Sequence, residues 1–347
     1  MKERITYIDV AKCIAIWLMI VGHGKISHIS QIYIYSFHMP LFFIISGMFF
    51  KKEKLFVDNL KSSVRTLLIP YFFFSLINLT VCWVHPYLHP ELYYNMHGIS
   101  IFYAAIKGMF IGSDYVTKTS FMPFGPLWFL VALFVVKNMA SLLGKVLRNE
   151  RYFAVVSCLI AVFCFFIIKQ PQIFSMKSAM LSFPFFIFGY LIRNIDFRKI
   201  PHRLIILLLC IIYVVFIIPL NGRCGIDECS YGNYIILFYI NAIIGSISII
   251  ILSTYINSFS SLFVIIGQNT LGILGTHNLF GIPFKTLVVF ICGYNILTSP
   301  IYIIASSSII TIASLFFSIY INKHLPFVVG KKIGISANTL SNGHNWK

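Results

Sequence analysis

The sequence predicts an all-α, polytopic transmembrane helical bundle with about ten spanning helices. Three observations predict it. Of the 347 residues, 59% are hydrophobic and only 11% charged, against about a quarter charged in soluble domains. The apolar residues fall into runs of roughly 20, the length a helix needs to cross the bilayer core. The basic residues sit in short clusters between those runs, as in loops of membrane proteins. Lipid removes the need to hide apolar surface, and it obliges the backbone to satisfy its own hydrogen bonds as helix.

The runs place helices near 7–24, 32–50, 66–85, 126–144, 152–168, 178–192, 204–220, 234–254, 261–280 and 299–322. Lys2 and Arg4 precede the first run as in a signal peptide, but Asp9 and Lys12 interrupt it and no small-residue cleavage site follows. It therefore reads as a mature helix. The stretch 282–292 is apolar but short and reads as re-entrant or interfacial; 101–112, within the longest loop (86–125), is similar. No repeat or linker is visible, so one domain spans 1–347, with a spanning core of about 7–322 and a cytoplasmic tail at 323–347.

Orientation follows from charge. With the N-terminus inside, eighteen of the 27 basic residues fall on the cytoplasmic side, including the clusters at 51–65 and 193–203. Such a bias places both termini in the cytoplasm of a multi-pass cell-membrane protein. The formal charge of +17 belongs to these loops, so the bilayer is expected as a partner and nucleic acid is not. The eight cysteines lack zinc-type spacing. Cys224 and Cys229 share a polar loop, either as a disulfide or as two thiols.

Ionisable residues inside spans are costly and mark function. The first helix holds Asp9, Lys12 and His23. Asp9 and Lys12 are i,i+3 neighbours able to pair, and pairing or snorkelling at the interface accounts for both. Lys12 and His23 are three turns apart on nearly one face, roughly 16 Å along the axis. A short connection makes helices one and two antiparallel neighbours, which brings His38 to the depth of His23. His277 and Asn278, and the Pro126-Leu127-Trp128 entry to helix four, are expected at that depth too. If helix two starts at Ser36, His38 sits in its first turn; if it starts earlier, His38 is interior and Pro40 marks a kink. Imidazole suits transfer to a hydroxyl because it titrates near working pH and removes the attacking proton. His85, His89 and His97 are scattered loop histidines, and no metal site is assigned to them.

At these residues the chain resembles the membrane acyltransferase-3 family, in the branch of fucose and exopolysaccharide O-acetyltransferases. The resemblance rests on Tyr7-Ile8-Asp9-x-x-Lys12 leading to Val21-Gly22-His23, and on Ser36-Phe37-His38-Met39-Pro40-Leu41 with Ser46-Gly47. Arg65 before Ile69-Pro70-Tyr71, Pro126-Leu127-Trp128, Phe185-x-x-x-Gly189-Tyr190, and Ile266-Gly267-Gln268-Asn269 before His277 extend it in order over about 280 residues. It departs from many relatives in carrying lysine where they carry arginine, which keeps the charge but loses the planar fork.

The resemblance implies an O-acetyltransferase with acetyl-CoA or another acyl-CoA as donor substrate, no bound cofactor, and a glycan or lipid-linked sugar as acceptor. It implies His23 and His38 as catalytic, with Asp9, Lys12, Arg65, Trp128, Asn269 and His277 as donor-binding or supporting residues. An acyl-histidine intermediate and direct attack both stay open. A transporter or flippase for a glycan or lipid-linked sugar is the alternative, since it too needs polar groups inside a bundle.

Overall fold

The computed structural model describes residues 5–80, 99–112, 125–168, 173–256 and 261–331. Among them there is no strand beyond one bridge between Gly225 and Ser230. The helices are α1 (Thr6–Gly22), α2 (His28–Met48), α3 (Phe56–Asn78), α4 (Ile99–Ile111), α5 (Gly125–Val146), α6 (Glu150–Ile167), α7 (Met176–Leu191), α8 (Arg203–Asn221), α9 (Ile235–Ile256), α10 (Ser261–Gln268), α11 (Thr270–Cys292) and α12 (Pro300–His324).

Among the described residues, eight helices are long and apolar enough to cross a membrane by themselves. Helices α1 and α7, at 17 and 16 residues, are shorter, so the number of about ten rests on how these two are counted. Apolar side chains on the outside, such as Leu208, Ile212 and Phe216 of α8, are exposed. That surface belongs against lipid tails.

The sequence misplaces three boundaries. Residues 282–292 are not a separate re-entrant segment; they continue α11 without a break past Pro283. The helix expected at 261–280 is instead divided at Asn269. There the Asn269 side-chain amide donates to the Ile265 carbonyl at 2.8 Å, while its carbonyl oxygen accepts from Asn322 at 2.7 Å and Ser318 at 3.2 Å. The third helix begins at Phe56, so two thirds of the basic segment 51–65 is helical, with one π-helical turn at Val64–Leu68.

Helix α1 is central: it packs on α2, α9, α10, α11 and α12. Small residues set how closely its neighbours approach. Gly267 of α10 lies on the Asp9 backbone. At the crossing of α2 and α7, Gly47 faces the Phe186 carbonyl and Gly189 faces the Ile44 carbonyl, each with no room for a methyl group. Such contacts carry helix association where lipid removes the hydrophobic drive.

Buried amides add directional ties. The Asn78 side chain donates to the Phe74 carbonyl at 2.7 Å and to the Gly275 carbonyl of α11 at 2.6 Å. Asn78→Leu is expected to lower stability by about 1 kcal/mol, near the upper range for interhelical bonds in membranes. Unfolding of purified protein in mixed micelles measures it, and an unchanged midpoint would refute the tie.

The bundle has two chemically different ends. Tyr7 against Phe197, Lys52 on the Arg148 carbonyl (2.9 Å), and Gly330 against Arg65 gather the basic segments at one end. This is the lysine end, because Lys12 of α1 lies toward it. His23 closes α1 at the other, histidine end.

Candidate active site

The α1 face that carries Lys12 also carries Ile16, Met19 and His23, at spacings of four, three and four. That is one stripe of a 3.6-residue helix. Lys12 and Ile16 line a cleft of about 210 Å³ with Phe42, Ile45, Ser46, Thr66, Leu67, Phe129, Leu130 and Leu274. Its wall is mostly apolar, and Lys12 is its one cation among the described residues. The Lys12 ammonium pairs with the buried Asp9 carboxylate at 2.6 Å.

Met19 and His23 line a second, narrow cavity further along the stripe, with Tyr35, His38, Met39, Pro126, Trp128, Ile226 and Asp227. The predicted convergence of histidines is present. The His23 and His277 rings lie 5.5 Å apart, centre to centre. Trp128 joins them, as expected, at the entry to α5. His23 is exposed to these cavities while His38 and His277 are buried, at 4% and 3% exposure.

The backbone fixes two of the rings. Helix α2 starts at His28, so His38 is interior, and its Nδ1 lies 2.7 Å from the Ile34 carbonyl oxygen. A carbonyl only accepts, so Nδ1 carries the proton, and Nε2 of the neutral ring keeps the lone pair. His277 repeats the device: Nδ1 donates to the Leu274 carbonyl at 2.9 Å, and Nε2 is buried with no partner. The His23 ring forms no hydrogen bond among the described residues, and so is open to reactants. Gly125, at φ +54°, is seated against that ring and the Asn278 amide. A side chain there would be strained and would press on both.

Not every candidate converges here. Asp9, Lys12 and Asn269 sit toward the lysine end. Arg65 lies on the π-helical turn beside Thr66 and Leu67 of the lower cleft, with its Nε buried and unpartnered. His85, His89 and His97 fall outside the described residues. Cys224 and Cys229 are thiols, not a disulfide.

Two contributors escape the sequence. The loop between α8 and α9 folds over the histidine cavity. Asn221 ties its ends, donating to the Tyr231 carbonyl (2.8 Å) and accepting from the Tyr234 amide (2.7 Å). Arg223 and Glu228 clamp its middle with two bonds of 2.7 and 2.5 Å. This fold delivers Ile226 and Asp227 to the cavity wall. Burial, aided by the neighbouring Glu228, pushes the Asp227 carboxyl up to about 6. The second is Lys285, whose ammonium donates to the His23 backbone carbonyl at 2.9 Å. It follows His277 by eight residues, just over two turns of the same helix. Reading 282–292 as a separate segment hid that register.

The arrangement is two separate cavities along one face of α1, a narrow polar one beside His23 and His38 and a mostly apolar one beside Lys12. Neither a curated protein nor a solved structure matches the chain. A family model described as an acyltransferase domain matches residues 5–321, nearly the whole length. The apolar helical bundle and that match together show a multi-pass membrane acyltransferase, and the chain belongs to the acyltransferase-3 family.

Proposed function

We propose that the protein moves an acetyl or related acyl group from acyl-CoA, entering at the lysine end, to a hydroxyl of an envelope or exported polysaccharide sugar at the histidine end. The lysine end is then cytoplasmic, in accord with the basic segments gathered there, and the membrane is the cell membrane. One observation carries the reading: a single face of α1 lines both the lower cleft, beside Lys12, and the histidine cavity, beside His23. Lys12 and Arg65 would meet CoA phosphates, the pantetheine arm would lie along Ile16 and Leu274, and the thioester would reach His23.

In direct transfer, an imidazole Nε2 takes the acceptor hydroxyl proton as the C–O bond forms. The C–S bond then breaks and the imidazolium returns the proton to the departing CoA sulfur. If an acyl-histidine forms first, labelled acyl group stays on the protein when acceptor is withheld. His38 supports either route, because its Nδ1 is anchored and its ring lines the histidine cavity, while His277 packs against the His23 ring.

Mass spectrometry of envelope glycans from cells with and without the gene tests the whole reading. Loss of an ester is expected. Loss of the entire polymer with unaltered acylation would favour the flippase alternative. A second test separates phosphate recognition from folding. Replacing Lys12 alone would remove the ammonium paired with the buried Asp9 carboxylate, so the neutral pair Asp9→Asn with Lys12→Met is used. Its KM for acetyl-CoA is expected to rise about tenfold, the effect of one lost charge-assisted bond. With acetyl-pantetheine, which lacks the nucleotide phosphates, KM should not change. Equal losses on both donors would exclude phosphate recognition by Lys12.

A further inference from the structure

A third cavity touches His23 on the flank away from His38. It is lined by Lys25, Lys285, Tyr302, Ser306 and Ser307, closed by Leu297 and Ile303. We propose that this cavity is an anion subsite for the acceptor, taking the carboxylate or phosphate of an acidic sugar while a neighbouring hydroxyl of that sugar is acylated at His23. The proposal rests on the acyl-transfer reading and narrows its acceptor to an anionic class.

The argument is one of unbalanced charge. Two ammonium groups face a cavity whose wall, among the described residues, holds no carboxylate. Lys285 spends one N–H on the His23 carbonyl, and among the described residues no acid lies within ion-pair reach of it. Lys25 contacts the Tyr294 hydroxyl and lies 3.5 Å above that ring, again without a counter-ion. Cations held at such a site without a partner are costly and mark a binding function. The acidic loop residues cannot neutralise them: Glu228 is clamped by Arg223, and Asp227 faces the cavity on the His38 side. The Asp227 carboxylate would repel an anion there, which directs an acidic group to the lysine flank. The hydroxyls of Ser307 and Tyr302 add neutral donors. CoA phosphates are not the occupant, because they enter from the opposite end, three turns of α1 away.

The test uses the full chain in nanodiscs of phosphatidylcholine, with methyl β-D-glucuronide, glucose 1-phosphate and methyl β-D-glucoside as probes. Acylation of Lys25 and Lys285 by a water-soluble N-hydroxysuccinimide ester is followed by peptide mass spectrometry. The glucuronide and the sugar phosphate should protect both lysines saturably, and the neutral glucoside should not. Lys25→Gln, at a half-buried position outside the helices, should weaken protection of Lys285 about tenfold, the loss expected for one charged hydrogen bond. Equal protection by acid and neutral sugar, or none by either, overturns the subsite. Protection that tracks added phosphatidylglycerol instead of sugar assigns the lysines to a lipid headgroup and overturns the acceptor assignment. Acetyl-CoA turnover is measured in parallel: turnover that depends on His23 without any protection sinks the subsite alone, whereas turnover indifferent to His23 sinks the reading beneath it.

Discussion

His23→Ala is expected to lower acyl transfer by about 10²–10⁴-fold, the range for removing a positioned proton-transfer group. The expectation comes from where the ring sits. It touches the histidine cavity and the lysine-lined cavity at once, it is exposed to both, and it has no hydrogen-bond partner among the described residues. Truncation removes the ring contact with His277 but no side-chain hydrogen bond among the described residues, so the folded yield should hold. His38→Ala is the informative companion. Its Nδ1 bond is to its own helix, so its loss should also spare the fold while reducing kcat. Purified protein with labelled acetyl-CoA and a glycan acceptor gives both rates. Full turnover in the His23 variant would end the catalytic assignment.

The largest effect on stability is expected at Gly189. A side chain there meets the Ile44 backbone carbonyl, and Gly47 opposite meets the Phe186 carbonyl. Backbone cannot swing aside as a flexible side chain can, so α2 and α7 would have to separate. Helix α2 carries His38 and packs more extensively on α7 than on any other helix, so separation would disperse the site as well. Overpacking by one or two methyl groups ordinarily costs about 1–3 kcal/mol. Against backbone on both helices, Gly189→Val should exceed that range and abolish the monodisperse folded protein. Gly281→Ala is the control: among the described residues a methyl there meets only the Ile310 side chain, Cδ1 at 3.4 Å and Cγ2 at 3.9 Å, ordinary contacts, and yield should match the parent. Normal size-exclusion behaviour of Gly189→Val would refute the close-crossing account.

Much of this architecture was legible in the sequence, for identifiable reasons. Hydrophobic runs of bilayer length have one structural solution, so the helical class and most element positions follow directly. The Lys12–His23 spacing is a property of a single helix, which makes their shared face readable from number alone. The meeting of His23 with His277 was foreseen as a shared depth, and contact itself needed coordinates. Boundaries failed where local chemistry competes with hydropathy. Asn269 divides a continuous apolar run because its side chain bonds to three backbone and side-chain partners at the break. Pro283 suggested an interruption that the helix passes through. Asp227 left no signal, since bonds internal to that loop, among them the Arg223–Glu228 clamp and the Asn221 ties, turn it back over the pocket. Asn269 itself stands by its motif as a candidate, yet its polar atoms are engaged in joining α10, α11 and α12.

On the proposed acyl-CoA route, one stiff rod carries both the charge near the donor's entry and the imidazole at its far end, and would work as a gauge of the donor. It would measure the carrier, from nucleotide to sulfur, and leave the acyl group beyond the sulfur unmeasured. Selectivity among acyl groups then falls to the room above Met19, where side chains are replaceable without altering the gauge.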